Sequence, residues 1–335
     1  MRRLISAVLL AGLFAVGCTG GARAAKDSPF RVVRDVPLGG GTSRFDYQSL
    51  DQQAHRLYVA HLGAGIVTVF DTEAGVVVGD VGDVPGAHGV LAVPELGRIY
   101  ASATDAHQVA VVDSATLAVL GRIPAGDYPD GLAYAPDVGK LYVSDEHGKA
   151  DIVVDVQSNQ AVATVALGGE AGNTQYDPSS HQILVAVHSG QLVAIDPTTD
   201  LVAGRYEVTG CREPHGLAID PARRLAFVAC QGNARLVVMD LTTMQVVSSH
   251  DVGRGPDVLA FDPSLGQLYV AAESGPLTVF VADDGGVREI ARDTVGPNAH
   301  SVAVDPATHH IYLPLTDVGG QPVLRELVLA AVSGQ

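Results

Sequence analysis

Tryptophan is absent from this 335-residue chain, and aromatic residues make up only 5% of it. Single-stranded nucleic acids are commonly bound on stacked aromatic platforms, so little is available for that role. Positive charge is also scarce. Lysine and arginine number 21 against 37 aspartates and glutamates, a formal net charge of −16. Such a surface repels phosphate backbones and favours cations or a cationic partner, so no nucleic-acid partner is expected. Charged residues of all kinds reach 17%, against 47% hydrophobic, which excludes a disordered chain. Several motifs are missing too. No C-x-x-C-H offers c-type haem attachment, and no G-x-S-x-G forms a nucleophile elbow. There is no P-loop, dinucleotide fingerprint or H-E-x-x-H. The acidic run Asp283-Asp284-Gly285-Gly286 lacks EF-hand spacing and reads as a turn.

What is abundant is punctuation: 38 glycines and 18 prolines predict frequent turns and no long helices. The N-terminus reads as an address. Arg2 and Arg3 precede a thirteen-residue apolar run, 4–16, too short to span a bilayer and suited to a secretory signal. Two processing sites compete. Ala15-Val16-Gly17-Cys18 resembles a lipobox that would lipidate Cys18, leaving 1–17 as the signal. Ala22-Arg23-Ala24 fits ordinary cleavage, with 1–24 as signal peptide and 25–29 as linker. Either route places the protein in the periplasm or cell envelope, with membrane contact only through a lipid anchor.

The remainder repeats. "HGLAIDPARRLAFVAC" starts at His215, "DVLAFDPSLGQLYVAA" at Asp257 and "HSVAVDPATHHIYLPL" at His300. Weaker copies start at Asp46, His88, Asp130 and Gly172, so the spacings are 42, 42, 42, 43, 42 and 43. Each unit reads as four short, β-branched, turn-bounded strands, which is the arithmetic of a propeller blade. The expected fold is all-β: one seven-bladed β-propeller of four-stranded blades over 30–331. The last unit has about 35 residues after His300 and lacks an outer strand. The segment 30–37, "FRVVRDVP", resembles one, and pairing it there would close the ring and remove an open edge.

The unit "G-x-x-P-x-G-L-A-x-D-P-x-x-x-x-L-Y-V-A" resembles the YVTN-type β-propeller repeat of exported bacterial and archaeal proteins. The resemblance spans nearly the whole mature chain and implies an exported propeller. It supplies no catalytic motif to carry over. The first and fourth units depart most from it, with Asp46-Tyr47-Gln48 in one and Gly172-Asn173-Thr174-Gln175 in the other.

The opening residues of the units are Asp46, His88, Asp130, Gly172, His215, Asp257 and His300, six of seven being His or Asp. Inner strands line a propeller's channel, so these residues should ring one mouth. The second strands return there with His61, His147 and His188. Imidazole and carboxylate are ligands for zinc, copper and other divalent ions, and histidine also suits proton transfer. The competing account is structural: a polar residue recurring by duplication can simply hold the neighbouring blade's loop. Asp177, Asp220, Asp262 and Asp305, at the opposite turns, read as turn formers. His55, His181, His309 and His310 read as solvated loop residues there, with a surface metal contact at His309-His310 as a lesser possibility. Cys211 and Cys230 are the two cysteines after Cys18. They read as a disulfide in an exported protein, or as a thiolate site with His215 between them.

Three functions fit: an envelope scaffold binding a protein or small ligand, a metalloprotein of the His/Asp mouth, or a metal-assisted hydrolase or lactonase at that mouth.

Overall fold

In the computed structural model, which describes residues 28–330, seven four-stranded antiparallel sheets surround a central channel. Signal cleavage and Cys18 fall outside the described residues. Among the described residues, no helix is long and apolar enough to cross a membrane. Blade 1 shows the common order: Gln48–Asp51 innermost, then Arg56–His61, Ile66–Asp71 and Val76–Val81. Consecutive units follow in the same way round the ring. In the seventh sheet the order is Ala303–Asp305, His310–Leu315, Val323–Leu329 and then Phe30–Pro37, the first strand of the described residues. Phe30 pairs with Leu329, Pro37 pairs with Val323, and Ala330 N donates to Pro29 O at 2.7 Å.

The repeated Leu-Tyr-Val of the second strands explains the packing. Alternation on a strand sends successive side chains to opposite faces. Leu57, Tyr58 and Val59 therefore pack against both neighbouring blades. Tyr58, Tyr100, Tyr142, Tyr269 and Tyr312 are all buried, with Phe227 in the same position of blade 5. The result is seven apolar clusters, each between two successive blades, rather than one central core. The outermost strands are half in solvent, and their apolar residues, such as Val78 and Leu201, are exposed.

On the face away from the mouth, aspartates hold the inner turns. Asp177, Asp220, Asp262 and Asp305 each accept a backbone N–H two residues on. Some also reach sideways. Asp177 pairs with Arg224 of the next blade at 2.5 Å, and Asp262 takes a hydrogen bond from His309 of the next blade at 2.7 Å. His309 is thus an interblade tie, and His310 pairs with the buried Glu326 of its own blade. His181 pairs with Asp137 of the preceding blade. His309 and His310 are more engaged than solvated loop residues, whereas His181 stays exposed, as expected.

Candidate functional site

A β-bulge builds the mouth. In blades 2, 3, 5 and 6 the inner ladder breaks between Ala87 and Val90, Pro129 and Leu132, Pro214 and Leu217, and Pro256 and Leu259. The skipped residues include His88, Asp130, His215 and Asp257. A bulge leaves its residues unpaired and bends the strand, so these side chains leave the ladder for the channel. In blades 1 and 7 the ladder starts later, and Asp46 and His300 precede it. The residue after each opening residue must be small where the next blade comes close. A Cβ on Gly89 would stand 2.0 Å from Asp130 O, and one on Gly216 would stand 1.8 Å from Asp257 O.

The structure brings Asp46, Asp257 and His300 together. One ligand atom from each lies within 4.8 Å of the others, and all three residues are buried. His300 Nδ1 donates to Asn298 O at 3.0 Å, which leaves the lone pair on Nε2. That atom is buried and has no hydrogen-bond partner among the described residues. Burial also lowers the His300 pKa, which keeps the ring neutral.

Asp130 borders the same cavity but stands outside that trio. Its Oδ2 accepts from Tyr47 Oη at 3.4 Å, and its Oδ1 is buried without a partner among the described residues. Burial and the nearby Glu146 and Asp257 raise its pKa to about 7 in spite of His215. Burial likewise holds Asp46 well above the ordinary carboxylate range, with Asp257 and Asp130 adding to it. Asp257 behaves in the opposite way. Burial works against its charge, but the charge and hydrogen bond of His215, with Arg44 beyond, prevail and hold it at about 2.

His215 is committed to a chain of polar groups. Its Nε2 faces Asp257 Oδ1 at 3.2 Å, and its Nδ1 meets His188 Nε2 at 2.9 Å. His188 Nδ1 is 3.6 Å from Glu170 at the rim. A carboxylate–imidazole–imidazole–carboxylate series therefore runs from the buried centre outward. Burial opposes charge on His215, yet Asp257, Asp130 and Glu146 outweigh it and raise its pKa to about 9. At neutral pH it carries a proton and offers no lone pair to a metal. His88 stands apart. Its Nδ1 meets Gly86 O at 3.0 Å and Thr104 Oγ1 at 2.9 Å, while its Nε2 accepts from Tyr128 Oη at 3.0 Å. Both ring nitrogens are engaged, and burial lowers its pKa to about 4.

Of the second-strand histidines, His61 is fully buried, stacked on Phe45 at 3.9 Å and 2.9 Å from Ser43 Oγ. It supports the loop before blade 1 and does not face the cavity. His147 packs on the Tyr128 ring. The sulfurs of Cys211 and Cys230 are joined, with Cα atoms 5.2 Å apart, so neither presents a thiolate to His215.

Four features escape a reading of the repeat alone. Arg44 comes from the loop ahead of the first unit and places its guanidinium 3.6 Å from Asp46, 3.4 Å from Asp257 and 3.0 Å from Glu273. Tyr128 lies two residues before Asp130 and lines the cavity. The bulge leaves no signature in hydrophobic pattern. Finally, Asn173 Nδ2 donates to Tyr47 Oη across the channel. These two belong to the two units that depart from the repeat, which was the available signal. A polar cavity of about 380 Å³ lies on the mouth side, bordered by Asp46, Asp130 and Asp257. A smaller space of about 240 Å³ lies deeper, bordered by Tyr47 and Asn173.

Fold and mouth together define a seven-bladed propeller with an acidic, buried site at the mouth of its channel. Residues 46–254 match the family model described as the choice-of-anchor I domain. That is more than half of the chain, and the protein belongs to this family. Among solved structures the chain is similar to hydrazine synthase of Kuenenia stuttgartiensis, at 16% identity over 95% of this chain and 100% of that one, with a TM-score of 0.74. It is also similar to a chain in the crystal structure of the mitotic checkpoint complex, at 13% identity over 98% of this chain and 100% of that one, with a TM-score of 0.78. At such identities the likeness is one of fold alone. Comparison with curated proteins gives no match.

Proposed function

We propose that this protein is an exported cell-envelope propeller that binds a divalent cation at its mouth through Asp46, Asp257 and His300. The observation that carries the reading is His300 Nε2: a buried lone pair without a partner among the described residues, grouped with two carboxylates within 4.8 Å. A buried polar atom left unpaired is costly, and an electron-pair acceptor relieves that cost. Two carboxylates and one imidazole suit zinc or copper(II). Nδ1 held by a backbone carbonyl is the usual way of orienting a ligating imidazole. Export rests on the signal-like N-terminus, and the family name, choice-of-anchor, is in keeping with a protein held at a surface. The repeat itself we read as YVTN-type.

A metal-assisted hydrolase is a second reading. The 380 Å³ cavity bordering Asp46 and Asp257 favours it, because a catalytic metal needs an open side for water and substrate.

Metal analysis of the purified mature chain after incubation with zinc or copper tests the site. About one ion per chain is expected for the unmodified protein, as for a single three-ligand site. His300→Ala and Asp257→Asn should lose it, whereas His88→Ala should keep it. A chain that takes up neither metal ends the metal reading and returns the ring to blade-to-blade structure.

A further inference from the structure

We infer that Arg44 is the resident counter-ion of the mouth, which a divalent cation must displace, and that this exchange makes Arg44 the residue selecting divalent over monovalent cations. The inference deepens the metal reading above and rests on it. Two of the three carboxylates that hold the guanidinium, Asp46 and Asp257, are the carboxylate members of the ligand trio. Arg44 therefore already stands where positive charge is wanted. Its N–H groups are turned to carboxylates, and His300 Nε2 receives none of them. The guanidinium balances the charge of the trio and leaves its imidazole unserved.

The side chain has a way out. Arg44 is 41% exposed at its side chain, with Glu273 also at the rim. The loop that carries it is fixed without it. Leu38 N donates to Pro322 O at 3.0 Å, Gly63 N donates to Arg44 O at 3.2 Å, and Asp46 N donates to Ala60 O at 2.9 Å. The guanidinium can swing to solvent while the backbone stays in place. A divalent ion entering as it leaves adds one net positive charge among buried carboxylates. A monovalent ion adds none and forfeits the guanidinium's hydrogen bonds, so only the divalent exchange is favoured.

Calorimetric titration of the full mature chain with zinc chloride, at low and high potassium chloride, tests this. Arg44→Gln should bind zinc at least about tenfold more tightly than the unmodified chain, because repulsion between close positive charges is removed. Its affinity should also fall more steeply with potassium. Arg44→Lys keeps the charge but loses the planar fork, and should fall between the two. It carries the comparison if Arg44→Gln no longer melts cooperatively. Zinc binding of equal strength in all three proteins overturns the role of Arg44 and leaves the metal site standing. No zinc binding in any of them removes the site itself, and the counter-ion role with it.

Discussion

Single atoms decide much at the mouth. The missing Cβ of Gly216 is one case: the space it would need is taken by Asp257 O of the next blade, 1.8 Å from the ideal position. Because the obstacle is backbone, it cannot rotate aside, and the two blades would have to part. Gly216→Ala should therefore lower stability by about 2 kcal/mol or more, as over-packing does. Gly82→Ala, with nothing near its Cβ position and no positive φ, should be close to neutral by comparison. Thermal melts of the two variants check the pair. Asp151 is a second case. It is fully buried between blades 3 and 4, its carboxylate meets only the Thr174 hydroxyl among the described residues, at 3.2 and 3.3 Å, and burial raises its pKa to about 7. The folded state then holds a proton that the unfolded chain has released above about pH 4. Stability must fall as pH rises from about 4 to 7 and level off above, by up to about 4 kcal/mol from this group. Asp151→Asn removes the titration. Its stability should match the unmodified protein near pH 4 and exceed it at pH 8, as denaturant melts at the two pH values will show. A parallel decline in both proteins would assign the slope to other groups.

At the scale of elements, Phe30–Pro37 carries the most consequence. It covers the edge of Val323–Leu329, and its Arg34 lies 2.7 Å from Glu326, which is 1% exposed at its side chain. We propose that this strand is what closes the ring. A chain beginning at residue 38 loses the outer ladder of blade 7 and one of the cations beside a buried carboxylate. It should melt well below the full mature chain and associate through the freed edge, which light scattering across a concentration series reports. A monomer of unchanged melting point would show that the ring holds without the strand. Elements are also where legibility divides. The strands are readable because an apolar run resembling Leu-Tyr-Val and a turn, Asp-Pro in the last four units, return every 42 or 43 residues, so that each blade repeats a similar local solution. The opening residues of the units are readable by alignment of the repeats. Their arrangement is not, since the bulge that turns His88, Asp130, His215 and Asp257 out of the ladder is a backbone event with no hydrophobic signature. Arg44 lies outside every repeat. The pairs His188–His215 and Tyr47–Asn173 join units through the curvature of the ring, which no local pattern encodes.

In the whole molecule, each blade meets only its two neighbours through an apolar cluster, while the mouth is the place where many blades meet at once. Stability and the proposed cation binding would therefore be drawn from different contacts, the first repeated and the second unique. The direction of the strands then acquires a meaning. The seventh blade runs from Pro37 and Val323 beside the mouth to Phe30 and Leu329 on the face of the aspartate turns. Ser28, where the described residues begin, lies on that far face. Nine residues lie between Cys18 and Ser28, and ten fully extended Cα steps reach about 35 Å at most. A lipid on Cys18 would thus moor the disc close to the bilayer by its back, with the acidic opening turned toward the surrounding medium. Cations would reach it from the open compartment rather than from the layer of ions gathered at the lipid headgroups.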